Sequence, residues 1–383
     1  MQAPLDTGVG RRSARGYPRI LWIAPNLNHY KKRFLDQLAI REGLDILVLA
    51  GQGSTAEGYR DDNAAPSYDI VRLSVDKRRF AFSPRVHAAV RRLLRDERFD
   101  AILIPAEKKH LPLILFLVAL RRRRGFRLVT YTHPILRSRG DRISRRDLTW
   151  TRQVFRLFDR VIFYTEQARE QAVAAQLVSQ GKAAFANNTL DTATIRKWAA
   201  SGTDSNGPPT LLFIGRLTPR KRPDLLLDHY ASLKKKIPDL HLIIIGDGPE
   251  ARTIRNAAAH DATIHWCGAL IDETAIAAQM NKAHAVFVPG ESGLSVVHAF
   301  AYGKPYMTCD LPRLNHGPEI AYLRDGENGL MLSGDPAADV PRLQALLTDS
   351  ARHEAMCRSA RETAEMLSIE NWCRQMASAL TEW

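Results

Sequence analysis

Thirteen short apolar runs, separated by stretches of helical spacing, constrain this chain more than any other feature. In the first half they are Ile20–Ala24, Asp45–Ala50, Asp69–Ser74, Ala101–Pro105, Arg127–Thr132, Arg160–Tyr164 and Lys182–Ala186. In the second half they are Thr210–Ile214, His241–Ile245, Thr263–Cys267, Ala285–Val288, Pro305–Thr308 and Gly329–Leu332. Most are continuously apolar rather than alternating, as parallel strands buried on both faces require. The intervening stretches place apolar residues at i, i+3 and i+4, as Val86, Val90, Leu93 and Leu94 do within Arg85–Arg95. Strand–helix alternation carried through twice predicts two doubly wound, parallel-sheet α/β domains of Rossmann-like type.

The polar stretch Ser201–Pro209 is rich in Gly and Pro, has no periodicity and reads as a linker. The expected domains are 1–200, with 1–18 disordered, and 210–365, followed by a helix over 366–383 that packs toward the first domain. The longest apolar run, Leu111–Leu120, is too short to span a bilayer, and residues 1–19 lack the apolar stretch of a secretory signal. Four cysteines (Cys267, Cys309, Cys357, Cys373) show neither C-x-x-C nor metal-ligand spacing. A reducing, cytoplasmic setting is expected, with no metal and no cofactor.

Charge is unevenly shared. Residues 1–200 hold 37 basic and 19 acidic side chains, a balance of +18, whereas residues 201–383 hold 18 and 22, a balance of −4. The first half therefore suits an anionic partner: an anionic membrane surface, nucleic acid or a pyrophosphate-bearing substrate. Recognisable nucleic-acid motifs and interleaved aromatics are missing, which disfavours nucleic acid. The clusters Lys77–Arg79, Arg91–Arg92, Lys108–Lys109, Arg121–Arg124 and Arg137–Arg146, with the apolar stretch His110–Leu120, fit either a buried crossover helix with a cationic exit or a surface for anionic lipid.

Ligands of open α/β sheets bind outside the carboxyl ends of the strands, so the residues following each run are the place to look. After Thr210–Ile214 comes Gly215-Arg216-Leu217, with Lys221 close behind and a helix to follow. Such cations suit a diphosphate, although a solvated basic turn has the same composition. After His241–Ile245 comes Gly246-Asp247-Gly248-Pro249, which is also what a tight turn into a helix needs. After Ala285–Val288 a glycine loop runs through Gly290, Glu291, Ser292, Gly293 and Leu294 to His298 and ends at Gly303-Lys304-Pro305. Free amides at Gly293 and Leu294 can hold phosphate, and the Glu291 carboxylate can accept from sugar hydroxyls.

These loops, in this order, resemble the donor half of the family-4 retaining glycosyltransferases. The later Asp325–Gly329 segment and Asn188-Thr189-Leu190-Asp191 add to the resemblance, which is strong over residues 185–335. It implies the GT-B architecture, two Rossmann-like domains facing a cleft, and transfer of a sugar from a nucleotide diphosphate sugar to a hydroxyl acceptor, a lipid-linked saccharide or envelope glycan precursor. Carried over by position, Arg216 and Lys221 hold the diphosphate with help from the amides of Gly293 and Leu294, Cys267–Leu270 face the base, and Gly215, Gly248 and Ser292 belong to the donor site. The resemblance also gives His133, after Arg127–Thr132, and Glu291 a part in contacting the sugar. Two departures stand out: His298 occupies the position of a ribose-holding glutamate, and Gly290 that of the first glutamate, with Glu291 one place on. Asn28 and Tyr30 occupy the acceptor-side loop, where the family has a glycine-rich stretch. The same fold also hosts nucleotide-sugar epimerases and phosphorylases, and the Glu-to-His change leaves room for a catalytically degenerate partner subunit.

Overall fold

The computed structural model describes residues 16–27, 29–51, 66–136, 143–199, 207–312 and 314–383. The chain runs β1 (Arg19–Ala24), α1 (His29–Glu42), β2 (Asp45–Ala50), β3 (Asp69–Arg72), α2 (Pro84–Asp96), β4 (Ala101–Leu103) and α3 (Leu111–Arg124). It continues through β5 (Arg127–Thr132), α4 (Arg145–Phe155), β6 (Arg160–Phe163), α5 (Glu166–Ala174), β7 (Ala183–Phe185) and α6 (Thr192–Arg196). Next come β8 (Thr210–Ile214), α7 (Pro223–Lys234), β9 (His241–Ile245), α8 (Ala251–His260), β10 (Ile264–Trp266) and α9 (Glu273–Met280). The last elements are β11 (Ala285–Phe287), α10 (Ser295–Ala301), β12 (Tyr306–Cys309), β13 (Gly329–Leu332), α11 (Pro336–Thr348), α12 (Ser350–Met366) and α13 (Ile369–Thr381).

Two compact units result. Described residues up to Asn187 join Glu370–Trp383 in the first, and Asn188–Ile369 form the second. Residues 201–206 of the expected linker lie outside the described residues, as do 1–15. The short helix α6, upstream of that linker, belongs to the second unit and puts Ile195 into its core. The last helix serves the first unit: Trp372 packs edge-on against Phe34 at 4.9 Å, and Trp383 lies under the guanidiniums of Arg127 and Arg160.

The first unit carries a seven-stranded parallel sheet ordered β3-β2-β1-β4-β5-β6-β7. Its helices cover both faces. On α2, Val86, Val90, Leu93 and Leu94 are buried, the stripe that the apolar spacing anticipates. The helix α3 buries Leu113, Ile114 and Leu117 and ends on Gly125, which takes the left-handed conformation that caps helices. Its first arginine is structural, because Arg121 donates to the Leu157 carbonyl and the Asp159 carboxylate. No helix among the described residues is long and apolar enough to cross a membrane.

The second unit carries a six-stranded parallel sheet ordered β10-β9-β8-β11-β12-β13. Strand order reverses between β8 and β11, where Ala285 pairs with Leu211 and Val286 with Leu212. That reversal leaves a crevice between the loops at the carboxyl ends of the two strands. The core around it is dense: Phe213, Phe287, Val296, Val297 and Phe300 are fully buried. Each such side chain contributes about 1.5–3 kcal/mol relative to exposure, which makes this end of the sheet a stiff platform.

Candidate functional site

The loops after β8, β9 and β11 are pressed together so closely that side chains are excluded. A Cβ on Gly246, whose φ is +150°, would lie 1.9 Å from the Gly215 carbonyl oxygen, and one on Gly290 would lie 2.1 Å from the Arg220 carbonyl oxygen. Backbone hydrogen bonds brace the two edges of the crevice: the Gly290 amide donates to the Lys221 carbonyl at 3.1 Å and the Glu291 amide to the Arg220 carbonyl at 2.8 Å. Gly248 packs against the Leu217 carbonyl, so its smallness serves the fit between two loops of the protein itself.

Two cations stand at this crevice in different states. The Lys221 ammonium reaches back over Gly215 and donates to the Glu291 carbonyl at 2.5 Å. Burial lowers its pKa from the ordinary 10.5, partly offset by the Glu291 and Glu319 carboxylates. Arg216 is exposed and pairs with no group among the described residues. The amides of Gly293 and Leu294 donate to nothing among the described residues, so they add two further donors beside the cations. An anion with several oxygens is the natural complement of one ammonium, one guanidinium and free amides.

The Glu291 carboxylate is engaged by Arg220 at 3.1 Å and by the Asn315 amide at 3.3 Å. Ser292 is buried in a hydroxyl network with Thr308 and Tyr306. Its amide donates to His316 Nδ1 at 3.1 Å, while His316 Nε2–H donates to the Cys309 carbonyl at 3.2 Å. Both bonds need a neutral ring with its proton on Nε2, and burial lowers the pKa of His316 accordingly.

Sequence reasoning missed His316 and Glu319. Glu319 is only 3% exposed and accepts from the Asn188 amide group, and its other oxygen leaves no room for a side chain at Gly317. Both residues follow β12 at the same end of the sheet, so the rule of inspecting every post-strand loop reaches them if carried one strand further. Burial raises the Glu319 pKa above 4.5, with its own backbone amide, Asn188 and Lys221 pulling the other way. Below pH 4.5 the carboxyl is protonated in both states; once the pH exceeds the raised native value, its ionisation is a cost the unfolded chain does not bear. Glu319→Gln removes that cost, so the melting temperature of the variant relative to the parent should climb with pH above 4.5 and then level off. Parallel melting curves across pH 4–8 check this; a constant difference contradicts it.

His298 lies one turn into α10 and pairs with Glu273 at 2.9 Å. Cys267 and Leu270, in the loop after β10, are half-buried, and burial pushes the Cys267 thiol up. In the first unit His133 is exposed at the end of β5, edge-on to Tyr164 at 4.7 Å. Tyr30 lies in the first turn of α1, and Asn28 lies outside the described residues. Lys108 is paired with buried Asp147, which also closes a capping box with Ser144 at the start of α4.

One group of metal-ligating side chains exists among the described residues: His229, Cys309 and Asp339, all buried. Its polar atoms already have work in the fold. His229 Nδ1 faces the Leu225 carbonyl and Nε2 faces Asp339, whose oxygens also accept from Ser333 and Gly334. The group thus ties α7 to the start of α11. A cavity of about 690 Å³ opens at the opposite, amino-terminal ends of β8 and β9, lined by Thr210, His241, Thr263 and Asn281. It lies away from the crevice where strand ends and cations converge.

Two family descriptions match the chain: "Glycosyltransferase Family 4" over residues 32–194 and "Glycosyl transferases group 1" over residues 208–349. A phosphatidyl-myo-inositol mannosyltransferase of Mycobacterium leprae is 35% identical over 151 residues, covering 38% of this chain and 39% of the relative. A GDP-mannose-dependent alpha-(1-6)-phosphatidylinositol dimannoside mannosyltransferase of Mycobacterium tuberculosis is 28% identical over 174 residues, covering 44% of this chain and 42% of the relative. The match therefore spans well under half of either relative. HepE of Anabaena, solved in complex with UDP, superposes with a TM-score of 0.70 at 15% identity, over 96% of this chain and 100% of HepE. At that identity the likeness is one of fold.

Proposed function

The chain belongs to the family-4 glycosyltransferases, and from that premise we propose that it moves a hexose from a nucleoside diphosphate sugar to a hydroxyl of a lipid-linked or envelope glycan precursor. The observation that carries this reading is the convergence of Lys221, Arg216 and two unengaged amides at the switch point between β8 and β11. A departing diphosphate builds negative charge there, and the Lys221 ammonium and the amides, already in place, stabilise it without reorganising, while Arg216 orders onto it. Two positive charges, one held on the Glu291 carbonyl and one exposed, do for a diphosphate what a divalent ion does elsewhere, and the sequence has no D-x-D pair to hold one. Transfer should therefore be metal-independent, with a rate unchanged by EDTA, and need no cofactor beyond the donor.

Neither carboxylate near Lys221 is offered as a nucleophile: Glu291 accepts from Arg220 and Asn315, and Glu319 is buried and accepts from Asn188. Retention then follows from attack on the face the diphosphate leaves. The bond from the anomeric carbon to the diphosphate oxygen breaks, the acceptor oxygen bonds that carbon, and its proton passes to the diphosphate. An α-linked product from an α-configured donor supports this, and a β-linked product refutes it. The names of the two mycobacterial relatives make GDP-mannose the first donor to try and an inositol lipid the first acceptor.

A thermal-shift series with UDP, GDP and ADP tests the donor class directly. A matching nucleotide at about 100 times its Kd adds roughly 2.7 kcal/mol of stability. Silence with all three would overturn the reading. The excess charge of the first half and exposed Arg122, Arg123 and Arg124 support a place at an anionic membrane surface. Flotation should then recover the protein with anionic but not neutral vesicles.

A further inference from the structure

The loop after β12 reaches the loop after β11 through three consecutive residues. The Asn315 amide donates to the Glu291 carboxylate at 3.3 Å, and the Gly317 amide to the Ser292 carbonyl at 2.5 Å. Between them, His316 Nδ1 accepts from the Ser292 amide at 3.1 Å. The packing is close: a Cβ on Gly317 would lie 3.1 Å from the Gly293 Cα. His316 is braced from behind, because its Nε2–H donates to the carbonyl of Cys309, the last residue of β12. The neutral ring has one lone pair, and it is spent on a single peptide.

That peptide also holds the half-buried cation. The Ser292 N–H and the Glu291 C=O belong to one planar amide, and this carbonyl accepts from the Lys221 ammonium at 2.5 Å. In a trans peptide the two groups point in opposite directions, with His316 on one side and Lys221 on the other. Turning the plane to release the N–H would swing the carbonyl off the ammonium. Each hydrogen bond also polarises the amide in the sense that strengthens the other. We propose that His316 is a positioning residue which, through the Glu291–Ser292 peptide, holds the Lys221 ammonium in place for the donor diphosphate. It acts on charge as well as place, since a carbonyl accepting from an ammonium favours the protonated form. The inference rests on the nucleotide-sugar reading and names a residue, outside the donor contacts, that sets the state of one of them.

The test follows binding of GDP, UDP and ADP by titration calorimetry from pH 7.5 to 9.5 on the full chain. It compares the parent with His316→Ala, His316→Leu and His316→Asn. Asn sets an amide oxygen where Nδ1 lies, whereas Ala and the bulkier Leu offer no acceptor to the Ser292 amide. The Glu291 and Glu319 carboxylates also face the ammonium, and no variant alters them. Burial lowers the pKa of His316 from 6.5, so the ring is uncharged throughout and its removal takes no charge from around Lys221. The nucleotide's own ionisations are common to all four proteins. Without the acceptor, Lys221 should lose its proton at lower pH than in the parent. His316→Ala and His316→Leu should therefore bind the matching nucleotide within about threefold of the parent at pH 7.5 and about tenfold more weakly at pH 9.5. His316→Asn should stay within about threefold of the parent across the series. A loss equal at every pH would make His316 merely structural and overturn the proposal, as would no loss, or a loss that Asn does not rescue. Failure of the parent to bind any of the three nucleotides is a different result, and it would bring down the nucleotide-sugar reading itself.

Discussion

Replacing Lys221 with alanine should lower kcat/KM for sugar transfer by roughly 10²–10³, the scale of one lost transition-state charge stabiliser. The ammonium is half-buried against the Gly290–Glu291 edge, so water does not screen it as it does Arg220, which is 70% exposed. Because its partner in the free protein is a neutral carbonyl, a diphosphate gains the charge without first breaking an ion pair. Arg216→Ala should cost a similar or smaller factor, since the guanidinium is exposed and must be ordered on binding. The pH profile separates charge from shape. With its pKa lowered by burial, Lys221 loses its proton as pH rises through a value below 10.5, so parental kcat/KM should fall on an alkaline limb there. Lys221→Arg stays protonated and should lack that limb. Steady-state rates across pH for parent, Ala and Arg forms check all three statements, and near-parental transfer by Lys221→Ala would remove the ammonium from the mechanism.

Gly246→Ala should destabilise the second unit by on the order of 4–5 kcal/mol, among the largest effects a single methyl group can have. The added Cβ would lie 1.9 Å from the Gly215 oxygen, at a φ of +150° that L residues rarely adopt. The strand ends cannot move apart, because the Gly215 amide donates to the Ile245 carbonyl and the Gly246 amide to the Gly268 carbonyl. Gly268→Ala is the matched control: its φ is +67°, but an added Cβ meets nothing within 4 Å, so only the left-handed backbone cost of about 1–2 kcal/mol applies. Urea unfolding of the two variants measures the difference. A loss near 1 kcal/mol for Gly246→Ala would mean that the loops do not interlock as described.

Much of this architecture is legible in sequence because parallel strands buried on both faces are written as unbroken apolar runs. β2, β5, β8, β9 and β13 begin and end where those runs do. Where the bounds differ, local chemistry explains it. β12 starts at Tyr306 because Pro305 has no amide to give the ladder, and β10 starts at Ile264 because the Thr263 amide is spent on Asp261. Arg216, Lys221 and the glycines are legible for a similar reason, each following a recognisable strand within a few residues. The partners that set the state of the site are not. Glu273 meets His298 across 25 residues, His316 meets Ser292 across 24, and Glu319 meets Asn188 across 131, and no local pattern encodes such meetings. His298 shows the consequence. In sequence it is a glutamate replaced by an imidazole; in the folded unit it is an imidazole with a carboxylate behind it.

A diphosphate held where β8 and β11 part should register in titration calorimetry of GDP and UDP. The parent and the Arg216→Ala/Lys221→Ala double variant, its native fold verified by circular dichroism, are compared under the same salt. One of the two nucleotides should bind the parent at a single site about 100-fold tighter than it binds the double variant. Equal affinity of parent and variant for that nucleotide would contradict it.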